Sequence, residues 1–230
     1  EFRRVLFRSL FANITLSASP ALNAKLPFDP VQSFAAIGQV SSSHSMLVVH
    51  PSVPVHSVKA LVAFAKARPS QLNYASAGIG SAIHLAMEVF QKTAGIELTH
   101  VQYKGASPAL NEVLGGQVTI MFASTAMATD HVRTGRLRGL GVGGPKRFAL
   151  LPNVPTIAES GYPNFEVNSW IGMVAPTNTP QEIIMRMNGE INASIKTADI
   201  REMLASIGYE PAGGTPERSE EHTSELQSPY

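Results

Sequence analysis

The sequence predicts an α/β protein built on a parallel sheet, and three observations support that prediction. Between residues 57 and 143, short apolar runs alternate with segments whose apolar residues recur at helical spacing. Serines precede several of these helical segments and glycines follow them, as helix caps do. The composition is 44% hydrophobic and 15% charged, which is typical of a folded globular chain. Strands that alternate with helices in this way form a parallel sheet covered by helices.

The individual elements follow in order along the chain. Two short strands are predicted at residues 34–40 and 46–49, and a helix follows the cap Ser57. A strand at residues 72–74 leads into a glycine-containing turn, and the next helix begins after Ser81 and ends at Gly95. Ser107 and Pro108 open a third helix, and a fourth helix is predicted at residues 126–134. Further strands are predicted at residues 97–103, 118–123 and 137–142. A strand at 167–175 and two final helices complete the pattern.

The totals exclude several classes of protein and site. A net charge of +1 gives no electrostatic reason to expect a nucleic-acid partner. No apolar stretch approaches the roughly 20 residues of a membrane-spanning helix, so a membrane-embedded chain is not predicted. The absence of cysteine excludes disulfides, a catalytic thiol and cysteine metal sites. The histidines show no recognised metal-ligand spacing, so no metal and no cofactor is predicted.

The stretch from Asn73 to Leu85 has the strongest functional signal. It contains a strand end, a turn with Gly78 and Gly80, and a helix start capped by Ser81. Free N–H groups and the positive end of the helix dipole favour an anion such as a carboxylate there. A short Gly-x-Gly is equally consistent with a plain strand-to-helix turn, and the stretch lacks the residues of a dinucleotide fingerprint or a P-loop.

Two further turns are expected beside this one. In parallel sheets ligands bind outside the carboxyl ends of the strands, and those ends carry residues 76–81, 103–105 and 123–125. Convergence of the three turns on one edge favours a binding site. In the helix after the first turn, His84 and Glu88 stand four residues apart. We interpret them as a surface pair rather than a metal or acid–base element.

Eight motifs occur in an order that is characteristic of one family. The ordered set resembles the substrate-binding proteins of tripartite tricarboxylate transporters, also called the Bordetella uptake gene (Bug) family, over residues 10–217. The motifs are Ser-Pro-Ala-Leu with Leu-Pro-Phe-Asp-Pro, Leu-Val-Val-His-Pro-Ser-Val-Pro, Asn-Tyr-Ala-Ser-Ala-Gly-Ile-Gly-Ser, His-Val-Gln-Tyr-Lys-Gly, Leu-Gly-Gly-Gln-Val, Leu-Pro-Asn-Val-Pro-Thr, Ser-Trp-Ile-Gly and Ala-Pro-Thr-Asn-Thr-Pro.

The resemblance implies a two-lobed, type II periplasmic-binding-protein-like α/β fold whose cleft closes on a small organic carboxylate. It implies a periplasmic location, membrane permease subunits of the transporter as partners or a sensing role, and no catalysis. The family's ligand-facing turn is matched by Ser76, Gly78, Gly80 and Ser81, and the other two turns add candidates at the neighbouring strand ends. The implied ligand-binding residues are Ser76, Ala77, Gly78, Gly80, Ser81, Tyr103, Lys104, Ser124 and Thr125, with Asn13 and Thr15 from the first lobe.

Several of these side chains have two interpretations. Tyr103 either covers the ligand with its ring or packs in the core, and Lys104 adds positive charge or is merely solvated. Many family members carry an acidic residue where this chain has Ala123 and Ser124, which disfavours an amino-acid ligand because its ammonium group needs a carboxylate partner.

The resemblance also predicts the organisation of the chain. Residues 10–49 are expected to be the remnant of an incomplete first lobe, because the family's signal peptide, first strand and Pro-Gly-Gly loop have no counterpart here. Residues 50–168 form the second lobe with the ligand-binding turns, and residues 169–217 provide a crossover strand and helices that return to the first lobe. Residues 1–9 and 218–230 are expected to be a non-native leader and tail, since Arg218–Ser228 resembles a translated sequencing-library adapter.

Two alternatives remain beside extracytoplasmic carboxylate binding. One is the effector-binding domain of a transcription regulator, which has a related two-lobed architecture. The other is a small hydrolase that uses Ser76 or Ser81 with His84. The sequence contains no Gly-x-Ser-x-Gly elbow and no carboxylate pair with catalytic spacing, so an enzyme is not predicted.

Overall fold

The computed structural model describes residues 9–13, 29, 32–206 and 208–217, and the predicted tail and nearly all of the leader lie outside them. Eight strands and six helices occur within this described part. They are β1 Leu10–Asn13, β2 Phe34–Val49, α1 Val58–Lys66, β3 Asn73–Ser76, α2 Ala82–Ala94, β4 Thr99–Gln102, α3 Ala106–Leu114, β5 Ile120–Ser124, α4 Thr125–Arg133, β6 Arg138–Val142, β7 Asn168–Pro176, α5 Gln181–Ser194, α6 Ala198–Ser206 and β8 Glu210–Pro211.

The chain divides into two compact units. The central unit runs from Ser43 to Asn168, and the flanking unit combines the segments before Ser43 and after Asn168. In the central unit the strand order is β4-β3-β5-β2-β6. Strand β3 is parallel to β4 and to β5, and β2 is antiparallel to β5 and β6. Strands β3, β4, β5 and β6 therefore share one direction, and the predicted parallel α/β arrangement is confirmed.

Helices cover both faces of the central sheet. Leu47 and Val49 of β2 pack in a core cluster with α1 and α2, whereas Met46 and Val48 belong to a second cluster with α3. Alternate residues of a strand point to opposite faces, so a run that is apolar throughout lies in a strand buried on both sides. Three aromatic rings anchor the first cluster. Phe90 meets Phe122 at 6.0 Å and Phe165 at 5.9 Å between ring centroids, both edge to face.

The predicted serine caps of α1 and α2 are confirmed. Ser57 Oγ accepts a hydrogen bond from the backbone N–H of Ala60 at 3.1 Å, and Ser81 Oγ accepts from His84 at 3.3 Å. Gly95 ends α2 in the left-handed conformation, with φ +62° and ψ +51°. The prediction that Ser107 and Pro108 open α3 was wrong by two residues. The helix begins at Ala106, because Gly105 adopts φ +124° and turns the chain there.

In the flanking unit β7 lies between β1 and β2, and β8 joins the other edge of β2. Strands β1 and β7 are antiparallel, with Asn13 opposite Ile171. The buried amide of Asn188 on α5 ties this helix to the sheet, since Nδ2 donates to the carbonyls of Ile37 at 2.8 Å and Gly214 at 2.9 Å. A buried amide with both of these acceptors is satisfied and fixes the position of the helix.

Strand β2 corrects the prediction of two short strands. Residues 41–45 (Ser-Ser-Ser-His-Ser) were expected to interrupt the pairing, but β2 continues through them. Ser41 pairs with Pro211 of β8, and Ser45 pairs with Ser124 of β5. Small hydroxyl side chains fit a buried strand, and Ser41, Ser43 and Ser45 are all buried. Within the described residues, no helix is long and apolar enough to cross a membrane.

Candidate functional site

Three turns of the central unit lie at one edge of its sheet. Ser76 ends β3 opposite Gln102 of β4, and the backbone N–H of Tyr103 donates to the carbonyl of Ser76 at 3.0 Å. Strand β5 runs in the same direction and ends at Ser124. Because the three strands are parallel, their carboxyl ends share this edge, where ligands of α/β sheets bind.

The first of these turns, residues 76–81, is called the glycine turn below. Gly78 has φ +121° and Gly80 has φ +78°, a region that side chains other than glycine rarely adopt. The N–H of Gly78 donates to Ser76 Oγ at 3.1 Å, and the carbonyl of Gly78 accepts from Ser81 Oγ at 2.8 Å. Ala77 is partly buried between them. The turn is therefore held by its own two serines, whose hydroxyls face inward to the backbone.

The helix start that follows offers free donors. The N–H of Leu85 donates to the carbonyl of Ser81 at 3.0 Å, and that of His84 donates to Ser81 Oγ. Among the described residues, the N–H groups of Ala82 and Ile83 meet no acceptor. Two unpaired N–H groups at the positive end of the α2 dipole can bind one carboxylate. Sequence reasoning omitted Ala82 and Ile83, although the serine cap identifies them as the first two helical residues.

Behind the glycine turn, aromatic and ionisable side chains form a cluster. The imidazole of His84 lies 4.5 Å from that of His100 between ring centroids, and His100 stacks on Tyr74 at 4.8 Å. The hydroxyl of Tyr74 donates to Glu88 Oε1 at 2.5 Å. His100 Nε2 lies 2.6 Å from Ser76 Oγ. Sequence reasoning missed His100, because only the β3–β4 register, with Tyr74 opposite His100, brings it to the turn.

The interpretation of His84 and Glu88 as a surface pair needs correction. Glu88 is half exposed, but the side chain of His84 is only 15% exposed, and the two groups approach no closer than 3.9 Å. His84 Nδ1 instead accepts from the N–H of Gly80 at 3.3 Å. His84 is thus a support of the glycine turn, and Glu88 accepts the hydrogen bond of Tyr74 at the outer side of the cluster.

Burial and neighbouring charges set the protonation of this cluster. Burial lowers the pKa of His100, the neighbouring His84 lowers it further, and Glu88 partly opposes both effects. Burial raises the pKa of Tyr74 well above its ordinary value, and the hydrogen bond to Glu88 and its charge add to the effect. At neutral pH we therefore expect Tyr74 to remain a hydrogen-bond donor and His100 to be uncharged.

The remaining predicted residues are placed differently. Tyr103 is partly buried against the second core cluster, and burial followed by the charge of Glu112 raises its pKa. Lys104 is exposed, and no ion pair joins it to another described residue. Ser124 Oγ caps α4 by accepting from Met127, and Thr125 is buried. The structure therefore gives Ser124 a capping role and places Lys104 at the exposed rim of this sheet edge.

Of the two residues predicted from the first lobe, Asn13 lies in the flanking unit and Thr15 lies outside the described residues. Asn13 belongs to β1 of the flanking unit, where its backbone pairs with Ile171, and its side chain is not among the described groups. Thr15 lies outside the described residues.

One buried hydroxyl at the same edge was not predicted. Ser43 is 2% exposed, and its Oγ has no hydrogen-bond partner among the described residues. Because Ser45 pairs with Ser124 and β2 is antiparallel to β5, Ser43 lies beyond the carboxyl end of β5. A buried hydroxyl without a partner is costly unless a ligand or a water satisfies it. The alternation of serines in residues 41–45 is the sequence signal that indicates it.

Comparison with known proteins agrees with this architecture. The family described as "Tripartite tricarboxylate transporter family receptor" matches residues 9–223. The chain is 38% identical over 194 residues to the UPF0065 protein in the tcbD-tcbE intergenic region of Pseudomonas sp. (strain P51), covering 84% of this chain and 58% of that protein. It is 32% identical over 204 residues to Protein BugT of Bordetella pertussis, covering 89% of this chain and 63% of that protein. The chain thus spans about three fifths of the length of these relatives.

A solved structure gives the same result for the fold. R. palustris Rpa4515 with adipate superposes with a TM-score of 0.87 and 32% sequence identity, covering 95% of this chain and 73% of that protein. The periplasmic binding protein BugD superposes with a TM-score of 0.85 and 30% sequence identity, covering 95% of this chain and 74% of that protein. The two-lobed periplasmic-binding-protein-like fold predicted from the motifs is confirmed by these two structures. The chain belongs to the family of tripartite tricarboxylate transporter receptors, the family that its ordered motifs resemble.

Proposed function

We propose that the chain is a periplasmic receptor that captures a small organic carboxylate at the glycine turn of its central unit. The observation that supports this most directly is the pair of N–H groups on Ala82 and Ile83, which meet no acceptor among the described residues. These donors lie at the sheet edge where three turns meet. The ligand carboxylate would accept both hydrogen bonds and neutralise the positive end of the α2 dipole.

A dicarboxylate is the ligand class that we propose. The related R. palustris protein was solved with adipate, and the two chains share 32% identity at a TM-score of 0.87. The second carboxylate would find positive charge in the exposed Lys104 at the rim of the same edge. The unpartnered hydroxyl of Ser43 is a further donor at this edge. We assign the candidate ligand-binding roles to these groups rather than to Ser124, which caps α4.

We propose membrane permease subunits of a tripartite tricarboxylate-type transporter, or a sensing system, as the partner that receives the captured ligand. The family match supports this role, because the family is one of transporter receptors. No observation on the described residues favours the regulator domain as an alternative. The ligand would be delivered unchanged, so binding affinity and release are the quantities that matter for function.

We further propose that the chain binds without catalysis. Ser76 is fully buried, and its Oγ already contacts the N–H of Gly78 and the imidazole of His100. Ser81 Oγ donates to the carbonyl of Gly78 and caps α2. A serine nucleophile must be accessible to its substrate and paired with a base, and neither hydroxyl meets both conditions. Incubation with the bound carboxylate should therefore leave its concentration unchanged by chromatography, and product formation would contradict this.

Calorimetric titration with adipate, succinate, malate and citrate tests the proposal, with neutral adipamide as the matched control ligand. We expect saturable heat for a dicarboxylate and none for the diamide. The variant Ala82→Pro removes one donor at the first helical position, where proline is well tolerated after the extended Ser81. Its affinity should fall by about 10- to 100-fold, the value of a hydrogen bond to a charged group.

The variant Gln181→Pro is the control for this substitution. It places proline at the first position of α5 in the flanking unit and should leave the affinity unchanged. A folded chain that binds none of the four acids would overturn the proposed function. Equal affinity in the parent and the Ala82→Pro variant would instead move the site away from the start of α2.

A further inference from the structure

The side chain of a histidine supports the glycine turn by accepting a hydrogen bond from the backbone of the turn. His84 lies in the first turn of α2, and its Nδ1 accepts from the N–H of Gly80 at 3.3 Å. Gly80 is one of the two glycines of this turn, both with positive φ, so this contact fixes the segment that leads directly into Ser81 and the free donors after it. The rest of the turn is held by serine hydroxyls, which do not change charge with pH.

The contact requires a particular protonation state of His84. An N–H group can donate only to a nitrogen with a free lone pair, so Nδ1 must be unprotonated and the neutral ring carries its proton on Nε2. That Nε2 faces Glu88 Oε1 at 3.9 Å. When Nδ1 is protonated, its own N–H faces the N–H of Gly80, so the hydrogen bond that supports Gly80 is lost.

Three groups face the imidazole of His84, whose side chain is 15% exposed. Glu88 lies on the same helix, with its Oε1 3.9 Å from Nε2 of His84. From β4, the ring of His100 lies 4.5 Å away between ring centroids. From β3, Tyr74 lies 6.5 Å from His84 between ring centroids, and its raised pKa keeps it neutral.

The sign of the effect follows from these contacts. A charged His84 would lie beside Glu88, so the added charge is partly compensated and attracts a bound carboxylate only weakly. The loss of the Gly80 contact acts directly on the turn that presents the donors of Ala82 and Ile83. Carboxylate affinity is therefore complete while Nδ1 of His84 is unprotonated, and it is lost as Nδ1 becomes protonated.

We propose that His84 is a positioning residue of the carboxylate site, and that its protonation releases the glycine turn and weakens carboxylate binding. This inference rests on the proposed function, because it concerns the same site. It adds proton-linked release to that function: a bound carboxylate leaves more readily in an acidic environment. His84 touches no ligand in this scheme and acts only through Gly80.

Titration with adipate between about pH 8 and pH 5.5, on either side of the ordinary histidine pKa of about 6.5, tests the inference. The parent should lose about five-fold in affinity across this range, the value of about one neutral hydrogen bond. His84→Asn carries Oδ1 at the bonded position of Nδ1 and accepts from Gly80 at every pH. This variant should bind as the parent does at pH 8 and should retain that affinity in acid.

Three controls accompany this experiment. His84→Leu has no acceptor and should bind about five-fold more weakly than the parent at pH 8. His56→Asn changes an exposed histidine before α1 and should leave the parent profile unchanged. Adipate itself takes up protons in acid. The pH dependence of the His84→Asn variant, measured with the same ligand, gives this contribution so that it can be subtracted from that of the parent. Thermal unfolding of each variant separates loss of the turn from loss of the fold.

The outcomes distinguish this inference from the proposed function. Equal pH dependence in the parent and His84→Asn, or tighter binding of the parent in acid, would overturn the inference and leave the receptor intact. Absence of binding at every pH would defeat the proposed function instead. In that case the backbone amide resonance of Gly80 still tests the inference. This resonance should shift with pH in the parent as His84 is protonated, and it should stay constant in the His84→Asn variant. A constant resonance in the parent would overturn the inference.

Discussion

At the scale of single residues, Gly78 and Gly80 determine the shape of the proposed site. A Cβ on Gly78 would lie 3.5 Å from the carbonyl oxygen of Tyr103, which is an ordinary contact, so space is not the constraint. The constraint is the backbone, since φ +121° is rarely adopted by residues with a side chain. The role of the two glycines was predicted from sequence, because the residue type alone indicates a turn at this position. His100 was not, because its role depends on the register between two strands.

Gly78→Ala should therefore destabilise the chain by about 1–3 kcal/mol and abolish or strongly weaken carboxylate binding. Urea unfolding and calorimetry measure the two effects. Gly135→Ala is the matched control: Gly135 has φ +73° at the end of α4, and a Cβ there would meet no atom within 4 Å. The control should lose stability without losing affinity. Unchanged affinity in Gly78→Ala would contradict the assigned role of the turn.

At the scale of elements, the serine caps of α1 and α2 were predictable, whereas the start of α3 and the course of β2 were not. A serine before an apolar helical repeat is a local signal, and both Ser57 and Ser81 act as predicted. The polar residues 41–45 carry a local signal against a strand, but pairing of Ser41 with β8 and Ser45 with β5 overrides it. Tertiary pairing of this kind is not encoded in the local pattern of a segment.

The two serine caps provide a paired test of which helix start binds the ligand. Ser57→Ala and Ser81→Ala should each reduce the free energy of unfolding by about 1 kcal/mol, since each removes one N-cap hydrogen bond. Only Ser81→Ala should also weaken carboxylate binding, because Ser81 Oγ holds the carbonyl of Gly78 at 2.8 Å. Equal affinities in the two variants, measured by calorimetry, would show that the start of α2 is not special.

At the scale of the whole molecule, the fold class followed from the alternation of strands and helices. The convergence of the three turns was expected from parallel pairing, and the β3–β4 and β3–β5 registers show that pairing. The sequence could not indicate which hydroxyls would remain available. Ser124 and Ser81 are both engaged as caps, whereas Ser43 is buried without a partner among the described residues. Such differences depend on packing that is specified only by the complete fold.

The stability of the central unit should depend on its aromatic cluster. Phe122 is fully buried on β5 and contacts Phe90 and Phe165, so Phe122→Ala should cost about 3–5 kcal/mol of unfolding free energy. Phe11→Ala is the control, because Phe11 is 67% exposed and should cost less than about 0.5 kcal/mol. Chemical denaturation measures both. A small effect at Phe122 would mean that the cluster is not the core of this unit.

The proposed function and the role of His84 both depend on a carboxylate that binds the N–H groups at the start of α2. Titration of the isotope-labelled chain with adipate, followed by backbone amide resonances, tests this binding most directly. The largest saturable shifts should occur at Ala82 and Ile83, with smaller shifts at Gly78 and Gly80. Saturable shifts confined to another surface, such as the apolar groove between α5 and α6 that Met187, Ile191 and Met203 line, would contradict the claim.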